Sequence, residues 1–80
     1  MVIVYSMEGC ASCVQAAKFL ERKGVPHKVV KIDEDFDAAD FMKAEGHRSL
    51  PQIYKDGVLA VQGGFAGLSK LSDEQLASLK

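Results

Sequence analysis

The chain has few of the features that mark an exported, membrane-bound or nucleic-acid-binding protein. Only two cysteines, Cys10 and Cys13, occur in 80 residues. That excludes a framework of several structural disulfides and leaves redox chemistry or metal ligation as uses for the pair. An excess of one charge is also missing. Ten basic and eleven acidic side chains leave a formal net charge of -1, so no strong field draws in nucleic acid or an anionic membrane. Apolar runs are only a few residues long, far short of the ~20 that span a bilayer. Met1-Val2-Ile3-Val4 carries neither the basic residues nor the long hydrophobic stretch of a secretory leader. These absences predict a soluble, cytoplasmic protein that engages neither nucleic acid nor membrane. The length is that of one domain, residues 1–80, with little room for a separate regulatory part.

What is present reads as alternating strands and helices. Met1 to Tyr5 is a nearly continuous apolar run with β-branched residues, the pattern of a strand covered on both faces. After Ser6-Met7-Glu8-Gly9, the stretch Ala11 to Lys23 sets Cys13, Ala16, Ala17 and Leu20 on one helical face, and Gly24 and Pro26 end it. Lys28 to Ile32 is a second strand, joined to the first through that helix and therefore parallel to it. Ala38 to Glu45 reads as a helix capped by Asp37 and stopped at Gly46. Gln52–Lys55 and Val58–Val61 flank Asp56-Gly57, a two-residue hairpin turn. Leu68, Leu71, Leu76 and Leu79 recur at roughly helical intervals, while Ser72 and Gln75 have capping-box spacing that allows a break there. The order is β-α-β-α-β-β-α, an α/β domain with a mixed four-stranded sheet and helices on both faces.

Two cysteines separated by two residues, where a strand runs into a helix, close and reopen a small disulfide ring by thiolate exchange. Cys10 falls at the helix start, where free N–H groups and the positive end of the helix dipole favour a thiolate, so it is the expected attacking sulfur. Cys13 lies one turn inward on the apolar face and is the expected resolving thiol. Two competing uses find less support. Haem attachment needs histidine after the second cysteine, where Val14 stands, and a zinc site needs about four ligands, for which His27 and His47 lack the spacing. No metal site is expected within the chain. Burial of both cysteines as small hydrophobes is the plain structural alternative.

Three separated motifs resemble the glutaredoxins and the glutaredoxin-like redoxins that reduce ribonucleotide reductase, members of the thioredoxin superfamily. They are Tyr5 followed by Cys10-Ala11-Ser12-Cys13, the segment Arg48-Ser49-Leu50-Pro51-Gln52-Ile53, and Gly63-Gly64-Phe65. The resemblance implies a thioredoxin-like fold and a thiol–disulfide oxidoreductase acting on protein disulfides or glutathione mixed disulfides. It implies a cis bond before Pro51, turning the backbone of Leu50 toward the dithiol, where its N–H and C=O can pair with an extended substrate. Gly63 and Gly64 would let the backbone approach a γ-glutamyl group. Tyr5 and Ser12 fall near the site, Tyr5 equally well as a core aromatic. Glutathione is the implied co-substrate, with no tightly bound cofactor. A disulfide-bearing protein such as ribonucleotide reductase is the implied partner of a monomer, reduced in turn by glutathione or by thioredoxin reductase.

The departures from the family pattern are equally specific. Family members commonly carry a basic residue where this chain has Met7, with Glu8 beside it, and proline and tyrosine where it has Ala11 and Ser12. An acidic or hydroxyl residue commonly follows the diglycine, where Phe65-Ala66-Gly67 stands. Arg48 and Gln52 remain as candidates to meet a glutathione carboxylate. A second function class is an iron–sulfur binding module in which two chains each offer Cys10 with glutathione as co-ligand, and a third is an idle interaction domain that keeps the fold.

Overall fold

Strand β1 (Val2–Ser6) organises the rest of the molecule. In the computed structural model, which describes residues 1–80, it is a central strand of a sheet ordered β2-β1-β3-β4. Helix α1 (Ala11–Arg22) follows, and β2 (His27–Lys31) pairs parallel to β1. Helix α2 (Phe36–Ala44) leads to β3 (Gln52–Lys55), antiparallel to β1, and β4 (Val58–Val61) completes a hairpin with β3. The short helices α3 (Gly64–Leu68) and α4 (Asp73–Ala77) close the chain. This is a thioredoxin-like α/β fold, with one parallel and two antiparallel pairings in a four-stranded sheet.

Period-two alternation in the strands distributes the side chains between two layers. Val2 and Val4 of β1 face one side with Ile53 and Val61, and there they bury Ala16 and Leu20 of α1, Leu68 of α3 and Leu76 of α4. Tyr5 and Tyr54 face the other side and pack with Phe41 of α2, their ring centroids 5.2–5.8 Å apart. The hairpin forms because Asp56 and Gly57 adopt the left-handed φ values, 53° and 81°, that a two-residue turn demands.

Several boundaries differ from the expected ones, those of β1 and the C-terminal ends of α1 and α2 by one residue. Helix α2 begins two residues early, because Asp35 and not Asp37 accepts a bond from the Ala38 N–H, at 3.1 Å. The second strand starts at His27 and stops at Lys31, one residue earlier at each end than expected. The final helical stretch, whose continuity the sequence leaves open, is two helices, divided where Ser72 and Gln75 form a reciprocal capping box with bonds of 2.9 and 3.1 Å. The break turns Leu68, Leu76 and Leu79 into the same core.

Candidate active site

Three chain segments meet at the end of β1: the start of α1, the loop between α2 and β3, and the loop into α3. At the first of these, Cys10 is the N-cap of α1, with extended backbone, and its Sγ accepts the Cys13 N–H at 3.2 Å. A cysteine sulfur here takes the place usually filled by a serine or aspartate oxygen. No acidic residue lies in the first turn of α1, so nothing there opposes negative charge on the sulfur. Cys10 and Cys13 are joined by a disulfide, with Cα atoms 5.3 Å apart. The two sulfurs are unequally placed: Cys10 is partly exposed, while Cys13 is 2 % exposed on the inner face of the helix.

The second segment presents backbone to that disulfide. The Leu50–Pro51 peptide is cis, and the Leu50 carbonyl oxygen lies 4.0 Å from Cys10 Sγ. Gln52 is buried, and its side-chain amide donates to the Ser49 carbonyl at 2.8 Å. One of its two N–H donors therefore braces the loop. Arg48 is exposed and has no ion-pair partner.

The third segment works through missing side chains. Gly63 and Gly64 have φ of 88° and 60°, which a side chain rarely tolerates. A Cβ on Gly64 would sit 3.3 Å from the Pro51 carbonyl oxygen, so the diglycine lies directly against the cis peptide. Gly67 is equally constrained, since a Cβ there would collide with the Gln62 carbonyl. The sequence reading noted Gly67 only as part of a departure; its requirement comes from the tight entry of α3.

Two cavities flank the disulfide and share Ser49 and Leu50. A polar groove of about 440 Å³ is lined by Ser12, Leu50, Pro51, Gln52, Gly63 and Gly64, so most of the expected binding residues come together there. Ser12 Oγ is 3.7 Å from Cys10 Sγ. A drier cavity of about 270 Å³ holds Cys10 with Met7, Ile32, Met42, His47 and Arg48. Arg48 thus stands on the opposite side of Leu50 from the glycines. Tyr5 lines neither cavity; it faces α2, where burial and then the negative charge of Asp35 raise its pKa. Met7, 44 % exposed, reaches the Cys10 cavity. Glu8 does not: its carboxylate is held by Lys31 at 2.8 Å, on the side of Cys13. This hydrogen bond, together with the charges of Glu8 and Glu34, raises the Lys31 pKa.

The family model for glutaredoxin matches residues 2–60, which carry both the dithiol and the cis-proline segment. This chain belongs to the glutaredoxin family. Among its relatives, a probable glutaredoxin of Synechocystis sp. is 42% identical over 55 residues, 66% of this chain and 62% of that protein. A glutaredoxin-like protein of Encephalitozoon cuniculi is 34% identical over 92% of this chain and 56% of its own length. The glutaredoxin-like protein NrdH of Salmonella typhimurium is 31% identical over 65% and 64%. The matches span less than two thirds of each relative. Among solved structures, buckwheat glutaredoxin in complex with glutathione superposes with a TM-score of 0.75 at 22% identity, covering 98% of this chain and 74% of that one. The NrdH-redoxin of Escherichia coli superposes at 0.73 and 20% identity, covering 99% and 93%. At such identities these two structures speak to the fold. The bonded cysteine pair lies within the segment that the family model matches. No helix is long and apolar enough to cross a membrane.

Proposed function

We propose that this glutaredoxin-family chain reduces protein disulfides through Cys10 and Cys13, and that a flavoprotein disulfide reductase of the thioredoxin-reductase kind regenerates it faster than glutathione does. The observation that carries the reading is the unequal disulfide facing the backbone of Leu50. The more exposed Cys10 thiolate attacks one sulfur of the target and forms a mixed disulfide, while the target's second sulfur leaves as a thiolate and takes a proton. Cys13 then loses its proton and attacks Cys10, and the target's remaining sulfur is released. Two electrons have passed from the cysteine pair to the target.

The polar groove supports an extended substrate held through backbone, with the Leu50 amide and carbonyl as its partners. The preference against glutathione rests on side chains. Met7 supplies no cation, Gln52 is engaged with Ser49, and Ala66 offers no polar group beside the diglycine. Arg48 alone remains for two carboxylates, and it lies on the far side of Leu50. Ribonucleotide reductase is the protein target we propose, on the likeness to NrdH. We read residues 1–80 as one domain working as a monomer in the cytoplasm.

The test is to oxidise the protein and offer it NADPH with thioredoxin reductase, or glutathione with glutathione reductase. Return of free thiols and insulin reduction are then followed. Faster recovery with thioredoxin reductase is expected. Faster recovery with glutathione overturns the preference, and failure to reduce insulin under either condition overturns the proposed activity.

A further inference from the structure

The drier cavity beside Cys10 contains a histidine that the exchange chemistry above does not use. His47 sits in the loop after α2, its backbone N–H bonded to the Met42 carbonyl at 3.0 Å. Its Nε2 lies 2.6 Å from the hydroxyl of Tyr54 on β3, with the two rings edge to face at a centroid distance of 5.7 Å. Tyr54 is 2 % exposed, and its hydroxyl donates to the Glu45 carboxylate at 3.2 Å. A phenol has one proton to give. With that proton on Glu45, the Tyr54 oxygen accepts, and Nε2 of His47 must be the donor. Burial, followed by the bond to Glu45, raises the Tyr54 pKa and keeps the hydroxyl protonated for this duty. The arrangement holds the ring through Nε2 and places a carboxylate behind the imidazole through one hydroxyl.

We infer that His47, anchored through Tyr54 to Glu45, is the positive partner of the Cys10 thiolate, acting from the opposite side of the cavity to the position Met7 occupies. The inference rests on the reading of Cys10 as the attacking sulfur. The titratable or charged groups facing His47 are Cys10 across the cavity, Tyr54 on β3, Glu45 behind it and Arg48 next in the loop. Tyr5 on β1 lies one ring further, against Tyr54. Of the side chains that share this cavity with Cys10, His47 is the one whose proton couples to the state of the sulfur. A dithiol reductant breaks the Cys10–Cys13 bond and delivers two electrons with two protons, becoming a disulfide itself. One proton caps Cys13 as a thiol; the other stays on His47, opposite the Cys10 thiolate. His47 is a positioning and charge-balancing residue in this account, not a nucleophile.

Linkage makes the effect reciprocal and measurable. Across a cavity of this size at an intermediate dielectric, with ordinary salt, a unit charge moves its partner's titration by about half a pH unit. Both histidines are followed by NMR through a pH titration of the oxidised and of the dithiothreitol-reduced protein. His27 is the internal control, since it pairs with Val2 at the far end of the sheet and its Nδ1 lies 2.9 Å from the Val25 carbonyl oxygen. The His47 signals should titrate about half a pH unit higher in the reduced protein while those of His27 do not move. In a parallel alkylation profile, His47→Gln should raise the pH at which Cys10 becomes reactive. Glu45→Gln, at an exposed position, should raise it less. Identical His47 titration in both redox forms overturns the inference without any variant having to fold. An unmoved alkylation profile in folded His47→Gln does the same. A protein that reduces insulin normally while giving either result loses only this inference; one that reduces none loses the proposed function beneath it.

Discussion

Replacing Met7 with lysine should strengthen the thiolate of Cys10, by an amount that follows from elementary electrostatics. Met7 is 44 % exposed and lines the cavity that holds Cys10, so a longer cationic side chain there can bring its ammonium to about 7 Å from the sulfur while keeping its water. At a separation of about 7 Å and an effective dielectric of about 40, between the protein and water values, the attraction is about 1.2 kcal/mol. Screening at 0.1 M salt, where the Debye length is about 10 Å, reduces this by about half, and at 1 M by about tenfold. Met7→Lys should therefore lower the Cys10 pKa by about 0.5 at 0.1 M salt and leave it almost unchanged at 1 M. Glu8 does not cancel the new charge, because its carboxylate is already paired with Lys31 on the Cys13 side. Glutathione-dependent turnover should rise about threefold at neutral pH, following the thiolate fraction, with any gain beyond that coming from a new carboxylate partner. The assay is the pH dependence of Cys10 alkylation at both salt concentrations, beside a coupled glutathione assay. A Cys10 titration that does not move at low salt would mean that position 7 does not sense the sulfur, and the electrostatic account of the site would be wrong.

Other perturbations test other links in the chain of argument. Alkylation of the reduced protein should label the partly exposed Cys10 well before the buried Cys13, and Cys13→Ser should accumulate a mixed disulfide with its target where Cys10→Ser does not; equal labelling by peptide mass spectrometry would contradict this. Gly64→Ala should lose target reduction as well as about 1–2 kcal/mol of stability, because its Cβ meets the Pro51 carbonyl oxygen at 3.3 Å. Gly57→Ala, also at positive φ but with nothing within 4 Å, should lose stability alone in urea titrations run beside a disulfide-reduction assay. Ser72→Ala should cost about 1 kcal/mol by removing the cap of α4, and an unchanged thermal midpoint would show that α4 does not depend on its cap. Tyr54 has a folded pKa above its ordinary value of 10.0. Its contribution is thus complete below pH 10 and is lost as pH rises through the folded value, so Tyr54→Phe should flatten the alkaline fall in urea stability above pH 10; parallel curves for the two proteins would refute that.

The parts of the fold that could be read from sequence were those fixed by neighbours in the chain. Asp56-Gly57 specifies its hairpin by turn chemistry alone, and Cys13, Ala16 and Leu20 mark the inner face of α1 by spacing alone. The end of the molecule was harder, because two local signals compete there. Leucines at helical intervals argue for continuity, the Ser72–Gln75 pair argues for a restart, and only packing decides, by bringing Leu68 and Leu76 to one core. The start of α2 had the same character, since Asp35 and Asp37 are both competent caps and local sequence does not rank them. At the site, the dithiol, the Leu50–Pro51 segment and the diglycine were legible as motifs. The dry wall was not. Met42 reads as helix core, Ile32 as strand and His47 as loop, and they share a cavity with Cys10 only once α2 is laid against the sheet. The pairing of Glu8 with Lys31 is hidden for the same reason, 23 residues apart in the chain.

The two sides of the disulfide place different demands on a substrate. The groove along Leu50, Pro51, Gly63 and Gly64 includes backbone, and backbone offers the same donors and acceptors to any extended chain. Discrimination between partners therefore does not come from that backbone. It must come from side chains, and those nearest the sulfur that vary freely without disturbing the fold are Met7, Ser12, Arg48 and Ala66, all at least partly exposed and none in the core. Met7 and Arg48 lie in the cavity with Cys10, so the charge a partner meets there changes with the side chains at those two positions. A glutathione-like ligand, small and doubly anionic, depends strongly on that charge. A protein disulfide spreads its affinity over a longer stretch of backbone and depends on it less. Substitutions at Met7 and Arg48 should consequently alter glutathione kinetics by a larger factor than insulin reduction, and equal factors for the two substrates would show that both are recognised through the same groups.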